Sequence, residues 1–106
     1  MEKKKLGLLL STPPSHPSVT TTVRLCEEAL RSDVDVYLYL IDEGVLNLHD
    51  QRLLELSSSG VKFFVCAYGC QQHGVRTDNV GKEVTLCGLV VLSSMINGCD
   101  RFVALN

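Results

Sequence analysis

Apolar positions along this chain fall into short continuous runs separated by amphipathic stretches, and that alternation governs the reading of its fold. Leu6 to Leu10 is an apolar run with lysines before it and Ser11-Thr12-Pro13-Pro14 after it. A strand buried on both faces has this pattern. The loop Ser11 to Pro17 carries all three prolines and leads to Ser18, the expected N-cap of a helix. Val19, Val23, Cys26 and Leu30 then recur on one helical stripe. Arg24, Glu27, Glu28 and Arg31 take the opposite face, and the helix is expected to stop near Ser32-Asp33.

Val34 to Ile41 is rich in β-branched and aromatic residues and predicts a second strand. Asp42-Glu43-Gly44 predicts a solvated turn. The helix after it should place Leu46, His49, Leu53 and Leu56 on one apolar face, with Gly60 at C′. Val61 to Ala67 is a third apolar strand, and Tyr68 to Arg76 a short polar segment of one or two helical turns closed by Gly74. Asp78 to Lys82 reads as a loop and Val84 to Leu86 as a fourth strand. Cys87 is expected to begin a helix carrying Leu89, Leu92 and Ile96, with Asn97-Gly98 closing it and Phe102 to Leu105 as the last strand. Strands alternating with helices through short connections call for an α/β fold. The expected form is a three-layer α/β/α sandwich with a mostly parallel sheet of about five strands, flavodoxin-like in appearance and forming one domain over residues 1–106.

Composition narrows the function more than the fold. Hydrophobic residues make up 45% of the 106 residues and charged ones 21%, as in an ordinary folded domain. Net charge is −2 and the ten basic residues are scattered, so neither a nucleic acid nor an anionic membrane is an expected partner. The start, Met1-Glu2-Lys3-Lys4-Lys5, resembles a signal sequence. Its apolar stretch ends after five residues, however, short of the about 7–15 that an export signal needs. No run approaches the roughly 18 apolar residues of a membrane span, and a cytoplasmic location is expected. Five cysteines, an odd number, then read as reduced thiols rather than a disulfide framework.

In an open parallel sheet, reactive groups gather beyond the carboxyl ends of the strands. Cys66 closes an apolar strand, and a helical turn is expected to begin just after it. Backbone N–H groups and the positive end of that turn would favour a thiolate, the nucleophilic form of cysteine. His73, Arg76 and His16 could add positive potential. Cys70, four residues on, is either a resolving thiol or a spectator. Cys26 reads as core, and Cys87 and Cys99 as packing residues; Tyr37 and Tyr39 share one strand face as sheet-packing groups. Cys66-x3-Cys70-x2-His73 lacks the second ligand pair of a structural zinc site. Gly81-Lys82 lacks the remainder of a phosphate-binding loop. No metal or organic cofactor is expected.

The order of these segments resembles the DsrE/DsrF-like family, which includes the TusD-type sulfur-relay subunits. The resemblance lies in the Lys-flanked strand and Thr/Pro loop, Tyr37-Leu38-Tyr39-Leu40-Ile41-Asp42-Glu43-Gly44-Val45-Leu46-Asn47, and Val65-Cys66-Ala67-Tyr68-Gly69-Cys70-Gln71-Gln72-His73-Gly74-Val75. It continues in Gly88 to Leu92 and in Cys99-Asp100-Arg101-Phe102-Val103. In relay members the acceptor cysteine lies eight residues before a closing glycine, the spacing of Cys66 and Gly74 here. The resemblance implies a sulfurtransferase-type carrier that accepts a persulfide sulfur on Cys66, with Cys70 and His73 as further candidate site residues. It also implies donor and acceptor proteins bearing thiols or persulfides, and a homotrimer, a hexamer or a hetero-oligomer with related subunits. A non-catalytic oligomeric module binding a small ligand or a partner protein is the alternative expectation.

Overall fold

The apolar runs become strands because parallel pairing leaves neither of their faces to water. The computed structural model describes residues 3–78 and 80–106. Met1 and Glu2 of the lysine-rich start, and Asn79 of the expected loop, lie outside the described residues. The elements are β1 (Lys5–Leu10), α1 (Pro17–Arg31), β2 (Asp35–Leu40), a 3₁₀ segment (Asp42–Asn47), α2 (Gln51–Ser58), β3 (Lys62–Cys66), α3 (Ala67–Gln72), β4 (Val84–Cys87), α4 (Leu89–Gly98) and β5 (Arg101–Leu105). The five strands form one parallel sheet in the order β4-β3-β2-β1-β5.

That order fixes the layers. The first three crossovers step the same way along the sheet, while the last returns across it from β4 to β5. Right-handed crossovers therefore put α4 on the face opposite α1 and α2. Leu8, Leu10, Leu38, Leu40 and Val65 are fully buried and belong to the face covered by α1 and α2. Tyr37 and Phe64, offset by one residue and stacked with ring centroids 6.3 Å apart, face α4 instead. The result is the expected three-layer α/β/α architecture.

Several boundaries and faces differ from expectation. The N-cap of α1 is His16, whose Nδ1 accepts from the Ser18 N–H at 3.0 Å. Pro17, with no N–H to lose, occupies the first helical position and moves the start ahead of Ser18. The 3₁₀ segment has three residues per turn, which breaks the helical phase expected from Leu46 to Leu56. Leu53 and Leu56 are buried, but Leu46 is exposed. His49 is exposed rather than packed, and its Nε2 lies 2.9 Å from the Arg76 carbonyl. Cys87 ends β4 and does not begin α4. On α4, Met95 is buried while Leu89 and Ile96 are exposed. Ser93, Ser94 and Asn97 take the outer side, and the helix meets the sheet through Val91, Leu92 and Met95, a stripe rotated from the Leu89, Leu92 and Ile96 expected.

Two helices end as their glycines suggest. Gly60 and Gly74 have φ of 112° and 65°, and each helix closes with paired bonds: Val61 N–H to Leu56 O and Gly60 N–H to Ser57 O, then Val75 N–H to Cys70 O and Gly74 N–H to Gln71 O. This is the Schellman pattern, which needs a left-handed residue at C′.

Candidate active site

β3 delivers Cys66 to the carboxyl edge of the sheet, and α3 begins at the next residue. Cys66 is the N-cap of α3, with extended φ and ψ of −66° and 112°, and its Sγ accepts the Gly69 N–H at 3.4 Å. The first N–H groups of a helix lack intrahelical partners, and here a thiol takes the place of the usual hydroxyl or carboxylate cap. Among the described residues, Cys66 is the one cysteine whose sulfur accepts a backbone N–H.

The site is tightly built around this cap. A Cβ on Gly69 would lie 3.0 Å from Val45 Cγ1, so α3 rests directly on the 3₁₀ segment. A Cβ on Gly44 would lie 1.9 Å from the Leu10 carbonyl oxygen. Only glycine lets the 3₁₀ segment approach the end of β1 so closely. Asn47 is fully buried and ties the same segment down, donating from Nδ2 to Thr12 O at 2.8 Å and Gly44 O at 3.0 Å. Asp42, at the head of the segment, holds φ at 52°, a left-handed conformation that aspartate tolerates better than most residues. The Asp42-Glu43-Gly44 stretch is thus a wedged structural element as well as a turn.

A pocket of about 340 Å³ opens beside the cap, between α3 and the start of α4. Cys66, Gly69, Gln72 and His73 form one wall; Ile41 and Asp42 follow from β2, and Gly88 and Leu89 from β4. Cys66, with 7% of its surface exposed, lines this opening. The pocket brings Cys66 and His73 together. Cys70 does not line it; that residue is buried, and burial first, then the nearby Cys66, raises the pKa of its thiol. Arg76 is exposed and engages Asp78 at 2.7 Å, and His16 caps α1, so neither lines the pocket. Another concavity of about 250 Å³, between Tyr37, Phe64 and the far half of α4, includes Cys99 but sits away from the carboxyl ends of the strands.

The remaining thiols differ in how strongly burial acts on them. Burial pushes the Cys26 thiol up to about 12, with Glu27 adding to the effect. Burial also raises Cys87 and Cys99. Tyr39 is fully buried, and its hydroxyl donates to the Gly88 carbonyl at 3.0 Å. Burial and the Cys87 and Cys66 thiols beside it push that hydroxyl well above the ordinary tyrosine range. Reading Tyr39 only as a sheet-packing residue missed this polar role. Its signal was the alternation that sets Tyr39 on the same face as Cys66. Among the described residues there is no group of three or more His, Cys, Asp or Glu placed to hold a metal ion, and no helix is long and apolar enough to cross a membrane.

The fold has close counterparts of low sequence identity. A crystal structure of the ychN protein from E. coli matches with a TM-score of 0.79 at 18% identity, covering 97% of this chain and 99% of that one. A conserved protein of unknown function from Bacteroides thetaiotaomicron matches at 0.79 and 17%, with coverages of 95% and 94%. A protein of unknown function from Methanobacterium thermoautotrophicum matches at 0.75 and 16%, with coverages of 95% and 99%. No curated protein matches the sequence significantly. The sequence model of the DsrE/DsrF-like family matches residues 4–105. The chain belongs to the DsrE/DsrF-like family.

Proposed function

We propose that this protein is a sulfur carrier of the sulfurtransferase type, with Cys66 as the acceptor. The observation that carries the reading is the position of Cys66: a strand-end thiol, capped by the Gly69 N–H, on the wall of a pocket. The Gly69 N–H points at this sulfur, and the thiolate form of a cysteine is the nucleophile. That thiolate attacks the outer sulfur of a donor persulfide, R–S–SH. The new bond makes Cys66–S–SH, the S–S bond of the donor breaks, and R–S⁻ leaves. Attack by an acceptor thiolate on the outer sulfur then passes it on and restores the Cys66 thiolate. His73, exposed on the pocket wall, assists by facing the incoming anion. Cys70, buried and outside the pocket lining, acts as a spectator in this transfer.

Donor and acceptor are thiol-bearing proteins in this reading, and the carrier itself is oligomeric, as a homotrimer, a hexamer or a hetero-oligomer with related subunits. Leu89 and Val90, 63% and 81% exposed at the start of α4 next to the pocket, are apolar surface suited to a neighbouring subunit. The experiment is intact-mass measurement after exposure to a persulfide donor. While the donor is present, wild-type protein should gain about 32 Da, one sulfur atom, and Cys66→Ser should not. An adduct retained in full by Cys66→Ser would remove Cys66 from the mechanism.

A further inference from the structure

We propose that Cys87 is the resolving thiol for Cys66: it attacks a Cys66 persulfide, closes a Cys66–Cys87 disulfide and releases the carried sulfur as hydrogen sulfide. The inference rests on the carrier reading of Cys66 and adds a second outcome for the sulfur at the same site. Cys66 and Cys87 are register partners across the parallel pair β3–β4, so their side chains leave the same face of the sheet. Neighbouring strands lie about 4.7–4.9 Å apart. That separation falls within the roughly 4.4–6.8 Å Cα span of disulfides.

Side chains on parallel neighbours start farther apart than the about 3.8 Å preferred between bridged Cβ atoms. The strand ends must therefore draw together. Both cysteines are the last residues of their strands, where the ladder stops and such a movement disturbs least. A bond closed under strain is readily reduced, which suits a transient disulfide better than a structural one.

A shared polar group joins the two sulfurs. The buried Tyr39 hydroxyl lies close to both thiols and donates to the carbonyl of Gly88, the residue after Cys87. Hydroxyl protons rotate to suit their partners. The same proton can therefore turn from Gly88 O to whichever sulfur carries negative charge. Cys87 is half-buried, with its Sγ 3.8 Å from the Val65 carbonyl, directly behind the pocket wall at Gly88.

The step balances as Cys66–S–SH plus Cys87–SH giving Cys66–S–S–Cys87 plus H₂S. The Cys87 thiolate attacks the inner sulfur, the Cys66 Sγ. The bond from Sγ to the outer sulfur breaks, and the outer sulfur leaves as HS⁻ and collects the proton that Cys87 gave up. In oxidation states, the outer sulfur goes from −1 to −2 and the Cys87 sulfur from −2 to −1, while the Cys66 sulfur stays at −1. Return to the reduced pair requires an external dithiol.

The test loads wild type, Cys87→Ser, Cys87→Ala and Cys70→Ser with a persulfide donor, removes the donor, and follows mass, released sulfide and cross-linked peptides. Wild type and Cys70→Ser should release sulfide and end about 2 Da below the reduced mass, with a Cys66–Cys87 peptide. Both Cys87 variants should hold the adduct of about 32 Da and release sulfide at least about tenfold more slowly. The disulfide-forming oxidant diamide should give the same cross-link without any persulfide. A wild-type adduct that persists with no cross-link, or a Cys66–Cys70 peptide instead, overturns the assignment of Cys87 and leaves the carrier reading standing. No adduct and no sulfide from wild type or either Cys87 variant overturns the carrier reading, and this inference with it.

Discussion

The sulfur of Cys66 accepts the backbone N–H of Gly69 at 3.4 Å, so the proposed nucleophile is also the cap that starts α3. Structure and chemistry can be separated at this one atom. Serine keeps a capping acceptor, whereas alanine does not. Cys66→Ser should stay within about 1 kcal/mol of wild type, while Cys66→Ala should lose about 1 kcal/mol, within the range of about 0.5–2 for a removed cap. Neither variant should carry sulfur. Urea titrations read the first difference, and equal stability of the two variants would show that the cap contributes nothing.

Gly44→Ala should destabilise the protein by about 3 kcal/mol, the upper end for overpacking a tight contact. Both nearest atoms, Leu10 O at 1.9 Å and Leu10 C at 2.7 Å, are backbone and cannot swing aside. Because the 3₁₀ segment supports α3, alkylation of Cys66 by iodoacetamide should change as well. A variant with an unaltered urea midpoint would contradict the close approach.

Asn47→Ala should cost about 2–3 kcal/mol by leaving the buried carbonyls of Thr12 and Gly44 without their donor. Asn47→Asp should be no better, since a carboxylate offers no N–H to either. Thermal unfolding of the two variants would decide this. Recovery of wild-type stability by aspartate would argue against the donor role.

Stability should decline above about pH 9. The Cys26 thiol rises from 9.0 to about 12 on burial, so the unfolded chain releases this proton in a range where the folded chain keeps it. The contribution is complete below pH 9 and is lost as pH climbs toward about 12. Cys70, Cys87, Cys99 and Tyr39 shift in the same direction. Urea midpoints at pH 8 and pH 10.5 should differ, and Cys26→Val should narrow the gap. Identical midpoints for wild type at both values would refute the linkage.

The strands were legible as continuous apolar runs bounded by polar and turn residues, and α1 because its apolar residues follow a helical period. Cys66 was legible for the same reason: it stands where an apolar run stops. The stretch from Asp42 to Asp50 was not, since a left-handed Asp42 and the approach of Gly44 to Leu10 depend on atoms remote in sequence. On α4 the expected stripe of Leu89, Leu92 and Ile96 was rotated from the one that meets the sheet, Val91, Leu92 and Met95. Cys87 illustrates the cost of one boundary. Placed at a helix start it has no neighbour of interest; as the last residue of β4 it faces Cys66.

The strand order carries a consequence for how the protein reaches its native state. β1 lies inside the sheet, yet one of its two neighbours, β5, lies some ninety-five residues away along the chain, as the bond from Lys5 N–H to Asp100 Oδ2 spans. Loop closure over that distance comes late. Until it does, the apolar segment Leu6 to Leu10 has a bare edge, and a bare edge invites pairing with another molecule. Ribosome-bound chains lacking residues 101–106 should therefore be the species most dependent on chaperones, and refolding yield should fall with concentration more steeply than stability would suggest.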